Sequence, residues 1–310
     1  MDDDFPDPER VALNIGWDYG VHRRRLPAEA THHAFAQGYA EGKKRPARDT
    51  PEPVRKWLQI RFNAWTRKRI VRPEVTAGYL AFLLNDMKCP VSQIDLTYRT
   101  VTENDWSIDR VNNDGAYATG NLAVLSTRVN AAKGGMTYAD VCARADGVIS
   151  DESLTRIEWA RLASLMEGPC GVAGVEIRPM PFLAHGLGVV KAPNQILQAL
   201  VLAAVFMRTG PLTRNIVLAK LGHRSREHWL PLRRRLERHG RKSPPDWPFD
   251  LFCVPSVWDA YLKWFNGLTD EERRGLLDLY AEGYGQLPTS GDRQYAQSFG
   301  VATRGFFDRR

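Results

Sequence analysis

The sequence predicts an α+β fold that is mostly helical, with one hairpin-and-helix unit set between two helical regions. Helical periodicity dominates the chain before residue 86 and from residue 154 onward. Between these regions, "WSIDRV" alternates as a strand does, "LAVLS" is a short apolar run typical of a second strand, and the intervening "NNDGAYATGN" is rich in turn residues. We therefore expect strands at Trp106–Val111 and Leu122–Ser126, joined by a long loop and followed by a helix from Thr127 to Gly134.

The N-terminal region, residues 1–85, is predicted to be basic and helical. Its opening "MDDDFPDPER" is acidic and broken by proline, which predicts disorder over residues 1–15. Apolar periodicity predicts helices at Pro27–Gly42, Val54–Val71 and Glu74–Met87, and alternation predicts a strand at Ile94–Thr102.

The C-terminal region, residues 151–310, is predicted to be an α-helical domain that assists DNA or partner binding. Capping-box pairs open two of its helices, Thr155 with Glu158 and Thr269 with Glu272. Glycine and proline in "EGPCGVAGVEIRPMPF" predict a loop over residues 167–182. The aromatic stripe predicts helical core at Trp258, Tyr261, Trp264 and Phe265.

Composition favours an intracellular globular protein. The chain has 310 residues, 43% of them hydrophobic, enough for two domains. Its four cysteines show no Cys-x-x-Cys spacing, which favours a reducing compartment such as the cytoplasm. The apolar run at residues 196–207 is too short to cross a bilayer, so we expect a buried helix there and no membrane partner.

Two basic stretches indicate an acidic partner. Residues 20–72 hold 14 Lys and Arg against four Asp and Glu, and residues 208–242 hold 11 against two. A phosphate backbone is the natural partner, with Arg67, Lys68 and Arg69 as candidate contacts; two solvated helix faces are the alternative. Leu212–Gly240 has the helix start and stop residues of a helix-turn-helix, with Ser225 opening a basic second helix, although Pro231 favours an ordinary basic helical hairpin.

The hairpin unit carries the candidate chemistry. Its first strand ends with Asp109, and the helix that follows the second strand carries Asn130. A hairpin followed directly by a helix can direct both side chains toward one point, where their oxygens would suit a hard cation. A purely structural hairpin with an Asn-rich turn is the alternative.

The segment resembles the phage-type subgroup of the HNH endonuclease (ββα-metal) family over about 60 residues, from Lys88 to Asp146. The resemblance rests on the order and spacing of Ser107, Ile108, Asp109, Arg110, Gly115, Tyr117, Gly120, Asn121, Arg128, Asn130 and Lys133. It implies a ββα-metal domain over residues 86–150.

The resemblance also implies roles for individual residues. Asp109 and Asn130 would be metal ligands, and Asn121 would brace the loop. Arg128 and Lys133 would face the phosphate backbone of DNA. A single divalent ion, Mg²⁺ or Mn²⁺, would stabilise the pentavalent phosphorane and the leaving oxygen while water attacks.

The sequence departs from the family pattern at the general base. Arg110 stands where many members have histidine, and a guanidinium cannot take a proton from water. Arg110 could instead bind the scissile phosphate, with a base supplied by a metal-bound hydroxide or by Asp105, Asp114, His32 or His33. No structural zinc is expected, because Cys89 is followed by Ser92 where a zinc knuckle needs a second cysteine.

The sequence thus predicts a divalent-metal-dependent DNA endonuclease of HNH type, with Asp109, Arg110, Asn121 and Asn130 in its catalytic site. The alternative is a catalytically degenerate DNA-binding protein, for example a regulator or packaging accessory.

Overall fold

The computed structural model describes residues 6–85, 87–207, 213–242, 247–284, 299 and 303–307. The chain divides into two compact units. Unit 1 comprises residues 1–135, 186–189 and 293–310, and unit 2 comprises residues 136–185 and 190–292. Helices make up most of the described chain, and its one sheet has two strands. The predicted class, α+β and mostly helical, is confirmed.

Unit 1 begins with two closely packed helices, α1 (Pro8–Val21) and α2 (His33–Lys43). The disorder predicted for residues 1–15 is wrong from Pro8 onward, and residues 1–5 of that prediction lie outside the described chain. Asp7 caps α1 by accepting hydrogen bonds from the backbone N–H groups of Glu9 and Arg10, and Pro8 occupies the first turn. A side chain at Gly16 would collide with the Phe35 carbonyl of α2, so the contact requires glycine.

The other two helices of the N-terminal region are α3 (Glu52–Thr66) and α4 (Ala77–Leu83). All three helices predicted here exist, with shorter or shifted bounds. Helix α3 ends where Lys68 adopts a left-handed backbone conformation, with a φ of 55°.

The strand predicted at Ile94–Thr102 is not formed. Arg99 and Val101 have φ angles of 55° and 57°, which a strand does not allow. The Asp105 carboxylate holds this turn by accepting hydrogen bonds from the hydroxyl groups of Thr97 and Thr100 and from the Val101 backbone N–H. Local side-chain hydrogen bonding here overrides the alternation.

The predicted hairpin and helix are present. Strands β1 (Trp106–Arg110) and β2 (Leu122–Ser126) are antiparallel, with Ile108 opposite Val124 and Asp109 opposite Ala123. Every residue of β2 is buried. Helix α5 (Thr127–Lys133) follows at once, because the Ser126 side chain caps it through the Val129 N–H.

Unit 2 is helical throughout its described elements. These are α6 (Tyr138–Ala145), α7 (Arg156–Val172), α8 (Pro193–Phe206), α9 (Arg214–Ala219), α10 (His223–Lys242), a 3₁₀ helix (Pro248–Cys253), α11 (Pro255–Gly267) and α12 (Asp270–Tyr284). Both predicted capping-box pairs are formed. Tyr261 and Trp264 are fully buried, and Trp258 and Phe265 pack against the same core, so the predicted aromatic core is confirmed.

Two predictions in unit 2 need correction. The connector predicted at residues 167–182 is helical up to Val172, with Pro169 inside α7. The predicted basic helix starts at His223 rather than Ser225 and continues through Pro231. Its Trp229, Leu232 and Leu236 are fully buried, which favours the interpretation as a core helix with a basic outer face. Residues 208–212 of the basic stretch lie outside the described chain. No described helix has the length and apolarity needed to span a membrane.

Candidate metal and nucleic-acid site

One face of α5 packs on one face of β1. Ser107 and Asp109 are two residues apart and share a face of the strand, while Asn130 and Lys133 lie one turn apart on the helix. Asn130 Nδ2 donates a hydrogen bond of 2.8 Å to Ser107 Oγ, and Lys133 Nζ lies 2.7 Å from Asp109 Oδ2. The structure therefore brings the two expected metal ligands to the same strand face.

Lys133 is an internal tether. Its side chain is completely buried, and its ammonium contacts three oxygens: Asp109 Oδ2, the Arg110 carbonyl at 2.8 Å and Asn113 Oδ1 at 3.0 Å. The contacts with the Arg110 carbonyl and Asn113 Oδ1 are hydrogen bonds, and the contact with Asp109 is an ion pair. The expectation that Lys133 faces a phosphate backbone is therefore wrong for this structure, because its charge is used inside the hairpin unit.

Asp109 keeps a partly open carboxylate. Its side chain is 16% exposed, although Oδ2 itself is buried against the lysine. Because the ion pair uses Oδ2, Oδ1 is the oxygen that can face a ligand. Asp109 thus has one internal cationic partner, and the exposed part of its side chain lies outside Oδ2.

Asn121 braces the loop between the strands. It is fully buried, its Oδ1 accepts from the Asn112 N–H at 2.8 Å, and its Nδ2 donates to the carbonyls of Asn112 and Ala116. A Cβ at Gly115 would lie 2.6 Å from Asn121 Nδ2. This close approach explains the glycine in the loop and gives Asn121 a structural role.

Arg110 points into the same loop. Its Nη1 donates to the carbonyls of Asn113 at 2.8 Å and Gly115 at 2.9 Å, and its guanidinium lies 5.1 Å from the centre of the Tyr117 ring. Arg110 alternates with Asp109 along β1, so the two side chains leave opposite faces of the strand. In this position Arg110 organises the loop.

The candidate bases are placed differently from one another. Hydrogen bonds, first from the Thr100 hydroxyl, lower the pKa of Asp105 to about 2, which makes it a weak proton acceptor. Asp114 is exposed at the loop tip. His32 caps α2 and stacks on His33, whose Nε2 lies 3.0 Å from Glu9. Among the described residues, none of these four has a contact with Asp109.

The expected phosphate contacts other than Lys133 lie at several places. Arg67 and Lys68 are exposed just after α3. Arg69 donates to the Arg304 carbonyl at 2.7 Å, and its guanidinium lies 3.6 Å from the centre of the Phe306 ring. Arg128 is half-buried in α5. Arg67 and Lys68 thus remain accessible, whereas Arg69 contacts Arg304 and Phe306 in the segment of residues 303–307.

Two polar residues of the site were missed by the sequence analysis. Ser107 contacts Asn130, and Asn113 both accepts from Lys133 and donates to the Gly134 carbonyl at 2.9 Å. The alternation of β1, which puts Ser107 on the face of Asp109, could have identified the serine. No local pattern marks Asn113, since its contacts depend on how the loop folds back.

Metal-ligand clusters of the transition-metal type are absent from the described chain. No group of three or more His, Cys, Asp or Glu side chains there is arranged so that it could hold a metal ion. Cys89 is buried, with its Sγ accepting from the Ser126 N–H at 3.4 Å. Mg²⁺ differs, since it usually takes one or two protein carboxylates and completes its shell with water and phosphate oxygens. Asp109, Asn130 and Ser107 fit that kind of oxygen site.

Comparison of the chain with models of known families, with characterised proteins and with solved structures finds no match. The function must therefore be argued from the site itself.

Proposed function

We propose that the protein is a divalent-metal-dependent DNA endonuclease of HNH type. One observation carries the proposal: β1 and α5 bring Asp109 and Asn130 to one strand face, where Asn130 is fixed by Ser107 and Asp109 by Lys133. Two side chains with oxygen atoms, held on a rigid hairpin-and-helix unit, are suitable ligands for a metal site.

Each residue of the site has its own proposed role. Asp109 would bind the ion through the oxygen that Lys133 leaves open, and Asn130 would supply a neutral oxygen beside it. When bound, the ion supplies charge stabilisation at the phosphate and lowers the pKa of a coordinated water. Lys133 orients Asp109, and Arg110 and Asn121 fix the loop. Arg110 cannot accept a proton and Asp105 is a weak base, so neither of them would serve as the general base.

A second function, DNA binding without cleavage, is favoured by a specific observation. The Lys133 ammonium already neutralises Asp109 at 2.7 Å. A neutralised carboxylate attracts a divalent ion less strongly than an isolated one. In this alternative the hairpin is a scaffold, and the basic surface of unit 1 binds DNA.

Incubation with supercoiled plasmid separates the two functions. We expect nicked or linear product with Mg²⁺ or Mn²⁺ and none with EDTA. Asp109→Ala and Asn130→Ala should each abolish cleavage, whereas Asp95→Ala, at an exposed aspartate with only a long ion pair to Lys88, should cut like wild type. Plasmid binding without cutting in any divalent ion would support the second function, and full activity of both site variants would exclude this site.

A further inference from the structure

A strongly basic pocket lies within unit 1, at the start of β1. It has a volume of about 460 Å³ and is enclosed by the end of α1 and the segment after it, by the first half of α3, and by residues 98–106. Five cationic side chains line it: Arg24, Arg25, Arg55, Lys56 and Arg99.

The two acidic side chains of the pocket are already engaged. Glu52 Oε2 lies 2.6 Å from Arg55 Nη2 and 3.8 Å from Arg99 Nη2. The Asp105 carboxylate accepts the hydrogen bonds that hold the turn before β1. Arg24 and Arg25 therefore face the pocket without a carboxylate partner among the described residues, and Lys56 interacts with Glu52 only through a longer-range attraction.

Two stacked aromatic rings contact two of these cationic side chains, Lys56 and Arg99. The rings of Tyr98 and Trp106 stack with centroids 5.4 Å apart and planes 14° apart. Lys56 Nζ lies 5.2 Å from the Trp106 ring centre, and the Arg99 guanidinium lies 4.9 Å from that of Tyr98. Burial lowers the pKa of Lys56, opposed by Glu52, so its ammonium is partly desolvated. An anion entering the pocket would stabilise that charge.

We infer that this pocket binds a phosphate group of a DNA backbone. The ligand must be anionic, and a group with several acceptor oxygens matches paired guanidinium groups and an ammonium. A nucleic-acid source is favoured because Trp106 begins the strand that carries Asp109 three residues later, about 10 Å along β1. The inference rests on the proposed action on DNA but not on cleavage.

The test is DNA binding in EDTA, where no metal-dependent cleavage occurs. Fluorescence anisotropy of a labelled 20-base-pair duplex would compare Arg24→Ala/Arg25→Ala with Arg45→Ala/Arg48→Ala. All four arginines are exposed and belong to the same basic stretch, but only Arg24 and Arg25 line the pocket. We expect the pocket pair to weaken binding on the order of tenfold at 0.1 M salt and to reduce the slope of log Kd against log salt by about two, while the control pair changes both by clearly less.

Equal losses in both pairs, or no loss in the pocket pair, would overturn the inference. Titration with inorganic phosphate forms a second arm, followed by the NMR signal of the Lys56 side chain. Inorganic phosphate could shift the Lys56 signal while the Arg24→Ala/Arg25→Ala variant binds the duplex like wild type. That result would show that the pocket binds a small phosphate ligand, and it would overturn the inference that the ligand is DNA. Neither experiment depends on cleavage. If DNA binding requires the pocket arginines but the protein never cuts plasmid, only the endonuclease proposal is refuted.

Discussion

Two acidic side chains, the mostly buried Asp109 in β1 and the fully buried Glu167 in α7, have different partners. Asp109 lies 2.7 Å from the Lys133 ammonium. Glu167 is 1% exposed and accepts a hydrogen bond from Asn194 Nδ2 at 3.0 Å, but no cation pairs with it among the described residues. Burial raises the pKa of Glu167 to about 8, opposed by the Asn194 hydrogen bond.

Only one of these two acids, Asp109, is expected to be ionised and able to bind a cation. Glu167 carries a proton at neutral pH and therefore acts as a neutral polar group in a hydrogen-bonded core with Asn194 and Tyr261. Asp109 has a cation beside it, and its side chain is still 16% exposed. Substitutions near Asp109 and at Glu167 can test this difference, and the substitution in the hairpin unit has the largest expected effect on stability.

Removal of the internal cation should cost the most stability. Lys133→Met leaves Asp109 without its partner, and breaking a buried ion pair costs about 3 kcal/mol or more. Urea unfolding would measure the loss. The matched control is Lys88→Met, whose ion pair with Asp95 is exposed and 3.8 Å long, and which should change stability by less than about 0.5 kcal/mol. Similar stability of the two variants would show that Lys133 is no tether.

Glu167 should give the chain a distinctive pH dependence. Its folded pKa is about 8 and its ordinary value is 4.5, so between these values the folded chain keeps a proton that the unfolded chain has released. This group's contribution to stability is therefore fully present below about pH 4.5 and is lost as the pH rises toward 8, by about 1.4 kcal/mol per pH unit. Glu167→Gln should remove that slope in urea unfolding measured from pH 5 to 8. An unchanged slope would mean that Glu167 is ionised in the fold.

Arg110 should have the smallest effect on stability. Arg110→Ala removes two hydrogen bonds to loop carbonyls, which predicts a loss of about 1–2 kcal/mol. Arg110→Lys, which keeps the charge but not the forked geometry, should recover only part of it. If both variants unfold like wild type, the loop does not depend on the guanidinium.

The hairpin could be predicted from sequence because its signals are local. Alternation predicts β1, a short apolar run predicts β2, Ser126 caps α5, and Gly134 ends it. The identity of the Asp109 partner could not be predicted in this way. The resemblance assigned Lys133 to DNA, whereas its three internal acceptors become visible only when the loop carrying Asn113 folds back over α5.

The N-terminal error has a related cause. Acidic residues and prolines in the first ten positions indicate disorder, but Asp7 and Pro8 are also good residues for the start of a helix. The deciding interaction is the packing of α1 on α2 through Gly16, which joins positions far apart in the sequence. Pocket formation around Arg24 and Lys56 is likewise a tertiary property, since three separate segments supply its walls.

The most direct measurement for the metal site is paramagnetic broadening by Mn²⁺ in NMR spectra of the full chain. Mn²⁺ broadens signals near its binding site even when binding is weak. We predict selective broadening of the Asn130 side-chain amide and the Ser107 backbone amide, loss of that broadening in Asp109→Ala, and no effect on the Asn194 amide beside Glu167. Uniform broadening, or selective broadening that persists in Asp109→Ala, would contradict the assignment of the divalent ion to Asp109.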